Sequence, residues 1–500
     1  MPIAKRFFTV SGLTVVSRLC GVLREAVLSH FLGTCIEMDA FLVAFRFPSF
    51  FRKCFAEGGF HSIFVPYFID FSSKNKKKGA FLFSSKIFTL LFWVMLLSSI
   101  IVFFFADTFV SIMAPGFVNT PEKFELAVSF TKIIFPSVAF IALSTVYSSL
   151  LVSYNHFLPF SLTPILINLI LICSLFMGTN LTTAGYRISY GVLISSIIQL
   201  VFLYIVAKKL KILPPQFAKI KFSRKVRDFL KKLTPVIIGA GVSQFNVLVD
   251  TIFGSFLETG SISFIYYADR FIQLPLAIFG ISVATVLLPE ISRIFSTGDK
   301  SKIYNLKDLI VTFSIRIGIP AAVGLFAISY QVIDIFYGHG KFTQSDVYNT
   351  SVVLQLFTIG LPAYILSKIL SSILFAKKNS KTPLFAAVIS IICNIILNYI
   401  LIKYIGVFGI AVSTSISGFV NTYIIYKKSK DWFVLNKKTL LNLIKVVVSS
   451  CFMYLSVKFT VNISIIFAIG VGVFIYGLSM IAFRDEVFFQ ALKRVKFYNK

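Results

Sequence analysis

The stretch FRKCFAEGGF, residues 51–60, sets Arg52, Lys53 and Glu57 into a run that is otherwise apolar. Its surroundings decide how it is read. The chain is 57% hydrophobic and only 14% charged, with a mean hydropathy of +0.86, whereas a soluble domain carries about 25% charged residues. Apolar runs close to the ~20 residues an α-helix needs to cross a hydrocarbon core recur from end to end. The chain therefore reads as an all-α integral membrane protein, and 51–60 as part of a span. A charge at the bilayer centre costs about 2.5–3.5 kcal/mol on insertion scales, so these side chains should face a protein interior or a wet cavity. That requires a bundle with an inside.

The apolar pattern predicts about 14 transmembrane helices, near 8–31, 41–69, 84–106, 128–152, 160–178, 188–207, 234–257, 264–291, 309–332, 349–375, 383–402, 406–426, 439–457 and 462–483. The net charge of +29 would suggest nucleic acid in a soluble protein. Here the cations gather in alternate short loops, such as KNKKK (74–78), RKVRDFLKK (224–232) and KKNSK (377–381), and topology explains them better. That bias predicts both termini in the cytoplasm. The N-terminus opens with Lys5 and Arg6 ahead of an apolar run, but Arg18 interrupts it and no small-residue cleavage site follows, so the segment is expected to be retained. Six scattered cysteines contain no C-x-x-C, and the four histidines have no metal-ligand spacing.

A shift of about 226 residues brings the chain into register with itself: Ser17 meets Ser243, Pro48 meets Pro275 and Pro136 meets Pro362. The expected organisation is two pseudo-symmetric six-helix lobes plus two C-terminal helices. Residues 1–220 hold helices 1–6, residues 221–433 hold helices 7–12, and residues 434–500 hold the last two helices and a cytoplasmic tail. Paired bundles of this kind are transporter architecture, with the site between repeats near the midplane.

Arg18 and Arg24 fall in the first span, Arg46, Arg52, Lys53 and Glu57 in the second, and Asp269 and Arg270 open the eighth. The excess is positive, which selects an anion, and arginine's planar fork suits a phosphate. Glu57 can neutralise Arg52 or Lys53, and Asp269 can do the same for Arg270. In the second repeat Asp250 stands where Arg24 would fall. Asn394 and Asn398 share a helical face, and Thr414 adds a hydroxyl. Such oxygen ligands suit a hard cation such as Na⁺; polar helix–helix contacts explain the same residues. GHGKFT (338–343) is not a nucleotide-binding loop, and H-E-x-x-H is absent, so ATP hydrolysis and metalloprotease chemistry are not indicated. No enzyme activity and no cofactor are expected.

SRLCGVLREAVLSHFLG (17–33), DAFLVAFRFPSFFRKCFAEGGFHSIFVPYF (39–68), YYADRFIQLPLAIFGISVATVLLPEIS (266–292) and FYGHGKF (336–342) resemble the signatures of the MurJ/MviN family of the MOP exporter superfamily. The resemblance runs over essentially the whole chain. It implies a monomeric lipid II flippase of the bacterial cytoplasmic (inner) membrane. Such a protein moves undecaprenyl-diphosphate disaccharide-pentapeptide from the inner to the outer leaflet by alternating access, serving peptidoglycan synthesis and cell shape. Its partners are that precursor, membrane lipids and proteins of cell-wall synthesis. Other exporters of the superfamily, an O-antigen-type flippase or a multidrug extruder, are the alternative. The resemblance assigns substrate binding to Arg18, Arg24, Asp39, Arg52, Glu57 and Arg270, and in some members a sodium site to positions matching Asp250, Asn394, Asn398 and Thr414. Coupling to Na⁺ or to the membrane potential stays open. This chain departs from the pattern at Lys53, where a second arginine is usual, at Ala277, where glycine is usual, and at Asn398, where a sodium-binding member has an acid.

Overall fold

The computed structural model describes residues 3–56, 59–74, 76–178, 183–212, 215–219, 224–281, 300–376, 379–428 and 437–485. Among these the regular secondary structure is all helical, without strands. The chain divides into two compact units, residues 1–263 with 339–343 and residues 264–338 with 344–500.

The first unit contains α1 (Ile3–Leu32), α2 (Ile36–Phe51), α3 (Gly59–Lys74), α4 (Lys76–Phe104), α5 (Ala106–Met113), α6 (Pro121–Ile134), α7 (Ser137–Ser153), α8 (Leu158–Phe176), α9 (Ala184–Lys209) and α10 (Arg224–Gly254). Prolines set several of the breaks. Pro121 starts α6 at a position where a missing N–H costs nothing, and Pro136 separates α6 from α7. An aromatic column gives this unit its core. Phe60, Phe64, Phe68 and Phe83 are buried and stack at 5.2–5.9 Å, with Phe229 of α10 edge-on to Phe60, Phe64 and Phe83. These spacings are those of favourable ring pairs.

The division falls within α11 (Ser261–Pro275). The second unit continues through α12 (Lys300–Ala327), α13 (Ser329–Tyr337), α14 (Gln344–Ala376), α15 (Lys381–Ile405), α16 (Val407–Lys428), α17 (Lys437–Thr460) and α18 (Ile465–Ala482). α14 and α16 approach closely because Gly418 has no side chain. A Cβ there would lie 2.3 Å from the Tyr364 ring, and membrane helices use small residues in this way. The Tyr364 hydroxyl then donates to the Thr414 carbonyl at 2.9 Å.

Among the described residues nine helices are long and apolar enough to cross a membrane, or ten if 314–327 and 329–337, bent by 64° at their break, count as one. The sequence predicts about 14. The segments near 8–31, 41–69 and 234–257 fall short because they carry internal charges and polar side chains or are interrupted, and residues 282–291 of the span near 264–291 lie outside the described residues. Residues 41–69 do not form one helix: α2 passes into a π-helical turn at Arg52–Ala56, and α3 starts at Gly59. The same happens after α11, where Leu276–Ile281 is π-helical. Each π turn follows a proline, Pro48 or Pro275, so the internal repeat extends to a local distortion. Single π turns inside helices frequently mark functional sites.

Candidate functional site

In the first unit, Pro48 removes one backbone donor from α2, and the Arg52 N–H is shared between the carbonyls of Pro48 and Ser49. The widened turn that follows carries Arg52 and Lys53, both half-buried. Arg52 lines a small, largely apolar pocket with Pro48 and Ser49 of α2, Ile141 of α7, Leu171 of α8 and Gln199 of α9. The Gln199 Oε1 is buried and has no hydrogen-bond partner among the described residues, so the pocket offers a guanidinium and an acceptor. Glu57, expected to balance this charge, lies outside the described residues.

Arg24 is held at two points. Its Nη1 donates to Asn168 Oδ1 of α8 at 2.9 Å, and its Nη2 pairs with Glu25, which is 3% exposed. Asn168 in turn donates to the Ser17 carbonyl at 3.3 Å. The sequence reading did not single out Glu25 or Asn168; both fix the arginine's orientation. Arg18, by contrast, projects from α1 as an exposed side chain.

Asp39 is at 0% exposure and accepts four hydrogen bonds. Lys123 Nζ at 2.7 Å and the Gly260 N–H at 2.8 Å reach Oδ2, while the Ser263 N–H at 3.0 Å and its hydroxyl at 2.6 Å reach Oδ1. Lys123 is itself buried, with its ammonium 4.5 Å from the centre of the Phe117 ring. A carboxylate so fully engaged has little capacity left for a ligand in this conformation. Here Asp39 ties the first turn of α2 to α6 and to the segment that starts α11.

Asp250 is 5% exposed on α10. Asn394 and Asn398 of α15, in the second unit, are wholly buried at 0%, one turn apart on one face. The Thr414 carbonyl accepts from Tyr364 and from the Ser417 hydroxyl at 2.8 Å. Two buried amides and a threonine suit an oxygen-liganded cation and equally suit helix packing. Among the described residues no three His, Cys, Asp or Glu side chains cluster as a metal site. At the start of the eighth expected span, Asp269 accepts from the Gln273 amide, and Arg270 lies over the Tyr266 ring at 4.3 Å. Each acts through a neighbour one helical turn away. The sequence reading also passed over Lys368, a further exposed cation within α14.

The helical fold resembles that of transporters of the MOP superfamily. A solved structure titled as an inward-facing multidrug resistance MATE family transporter of the MOP superfamily matches with a TM-score of 0.65, at 14% identity, covering 88% of this chain and 98% of that one. That likeness concerns the fold alone. The family is given by closer matches: the model for the lipid II flippase MurJ matches residues 28–481, and the chain belongs to that family. It is 34% identical over 430 residues to a "Probable lipid II flippase MurJ" of Buchnera aphidicola subsp. Acyrthosiphon pisum, covering 86% of this chain and 84% of that protein. The Rhizobium meliloti protein of the same name is also 34% identical, over 85% of this chain and 80% of its own length. The structure titled "Lipid II flippase MurJ, inward closed conformation" has a TM-score of 0.82 at 31% identity, covering 96% of this chain and 99% of that chain.

Proposed function

We propose that this protein flips undecaprenyl-diphosphate disaccharide-pentapeptide from the inner to the outer leaflet of the bacterial cytoplasmic membrane by alternating access. In this reading Arg18, Arg24, Arg52 and Arg270 are the cations that bind the diphosphate. Arginine donates two parallel hydrogen bonds to each phosphate, where lysine would act as a point charge. The chain acts as a monomer with both termini in the cytoplasm, drawing on Na⁺ or the membrane potential and requiring no cofactor.

Membership of a lipid II flippase family supports the substrate. The observation that carries the arginine mechanism is the π-helical turn at 52–56, which sets Arg52 on the wall of a pocket at a position where helix geometry is locally distorted. Arg24, held by Glu25 and Asn168, is already oriented before a ligand arrives. Such preorganisation lowers the ordering cost of binding. Asp39, by its four hydrogen bonds, serves this reading as a structural tie rather than as a phosphate contact.

The test is binding by the purified protein in nanodiscs. Lipid II is compared with an analogue carrying a single phosphate and with a diphosphate lipid bearing an O-antigen sugar. Tighter retention of lipid II than of the monophosphate analogue, reduced by Arg52→Ala, is expected. Equal retention of both lipids would overturn the diphosphate reading, and preference for the O-antigen lipid would move the substrate to that class.

A further inference from the structure

The last two helices lie outside the internal repeat, and α18 meets α12 at one particular turn. Pro320, inside α12, has no N–H, so the carbonyl four residues earlier loses its helical partner. That carbonyl belongs to Arg316. The Tyr476 hydroxyl of α18 donates to it at 2.8 Å, filling the acceptor that the proline vacates. The Arg316 side chain is engaged by Asp485, three residues past the end of that helix. Its Nε donates to Asp485 Oδ2 at 3.0 Å, and Nη2 reaches the same oxygen. Arg316 is 7% exposed and Asp485 is 1% exposed. One residue is thus held by backbone and by side chain, at the turn where its helix is weakest.

The chain makes a local sacrifice to bring Asp485 there. Arg484 takes φ +48°, the left-handed region that favours glycine. Its N–H bonds to the Ile481 carbonyl at 2.9 Å, and the Asp485 N–H bonds to Met480 at 3.0 Å, closing the helix in a Schellman turn. An arginine in the glycine position of that motif folds the chain back and presents the Asp485 carboxylate to α12.

We infer that α18 is a brace on the proline-interrupted turn of α12, and that Tyr476 and Asp485 are positioning residues that set the bend of that helix during transport. Pro-interrupted membrane helices bend where neighbours re-satisfy the freed backbone, so the partner that supplies the hydrogen bond also controls the bend. This gives the helices outside the repeat a role in the transport step. The inference rests on the flippase reading for the word transport and on geometry alone for the brace.

The experiment uses the full chain and Tyr476→Phe, Asp485→Asn and a charge-exchanged double variant, Arg316→Asp with Asp485→Arg. Two quantities are read at equal membrane levels: amide hydrogen exchange of residues 313–327 in nanodiscs, and lipid II exposure in cells depleted of their own flippase. Tyr476→Phe keeps the ring and the ion pair, so it isolates the hinge carbonyl. Exchange in 313–327 should rise at least tenfold in Tyr476→Phe and Asp485→Asn, and lipid II exposure should fall at least threefold. The charge-exchanged variant should recover part of both. Unchanged exchange in Tyr476→Phe would overturn the brace. Faster exchange with exposure at the parental level would leave a packing contact and overturn the positioning role. A parent that exposes no lipid II while the exchange shift appears would count against the flippase reading and leave the brace intact.

Discussion

Replacing Asp39 by asparagine should be among the most damaging single-atom changes in this protein. The carboxylate sits in the first turn of α2, where the helix dipole favours a negative charge, and its four donors are divided two to each oxygen. An amide keeps one oxygen and turns an NH₂ toward the other pair. With the NH₂ toward Lys123 and Gly260 two donors face a donor; turned toward Ser263 it faces that residue's N–H, since the hydroxyl can rotate to accept, and in both cases the buried Lys123 ammonium loses its counter-charge. Removing one partner of a buried ion pair costs about 3–5 kcal/mol. Lys123→Met should cost less, about 1.5–3 kcal/mol for one charge-assisted bond, because Asp39 retains three donors that stabilise its charge. Equilibrium unfolding in mixed micelles, with membrane yield alongside, gives both values. A loss under about 1 kcal/mol for Asp39→Asn, or a larger loss for Lys123→Met than for Asp39→Asn, would refute the reasoning.

Gly340→Ala should lower folded yield, because φ is +68° and a Cβ would lie 2.4 Å from the His30 carbonyl oxygen; normal yield and normal thermal stability would argue that residues 339–343 can detach from α1 at no cost. Asn168→Ala removes the acceptor that orients Arg24, and the expected outcome is at least tenfold weaker lipid II binding with unchanged expression, measured on the purified protein in nanodiscs. Burial pushes the Cys35 thiol above its ordinary pKa, opposed by the backbone N–H groups of Met38 and Glu37. Its thiolate fraction therefore stays low at neutral pH and keeps rising at a pH where an ordinary thiol has levelled off. Maleimide labelling of a variant retaining only Cys35 should show that late rise, and a plateau at the ordinary thiol pKa would contradict it.

Much of the fold is legible in the chain because membrane helices declare themselves by length and apolarity. The nine helices that stand out on those grounds match predicted spans, among them α4, α8 and α15. The charged spans are harder to read, since their ionised side chains lower their hydropathy. The π turn at 52–56 had a signal in Pro48 and in the charges that follow it, and the repeat pointed to its counterpart after Pro275. Nothing local announces the partners. Lys123 in PEKFELA reads as a loop lysine, yet it pairs with a carboxylate 84 residues away. Arg316 and Asp485 are separated by 169 residues, and Asn168 lies 144 residues from Arg24. Helical periodicity gives the face a residue occupies, and only tertiary packing decides which distant residue meets it. For the same reason the sequence shows the charge of Asp39 and conceals the four donors around it.

Arginine-dependent movement of lipid II can be measured directly in cells depleted of their own flippase. The parent and its Arg24→Ala, Arg52→Ala and Arg270→Ala variants are expressed at equal membrane levels, and lipid II exposed on the outer leaflet is labelled. The parent should restore exposure and the three variants should lose it. Full exposure in all three variants, or none from a well-inserted parent, would contradict the account.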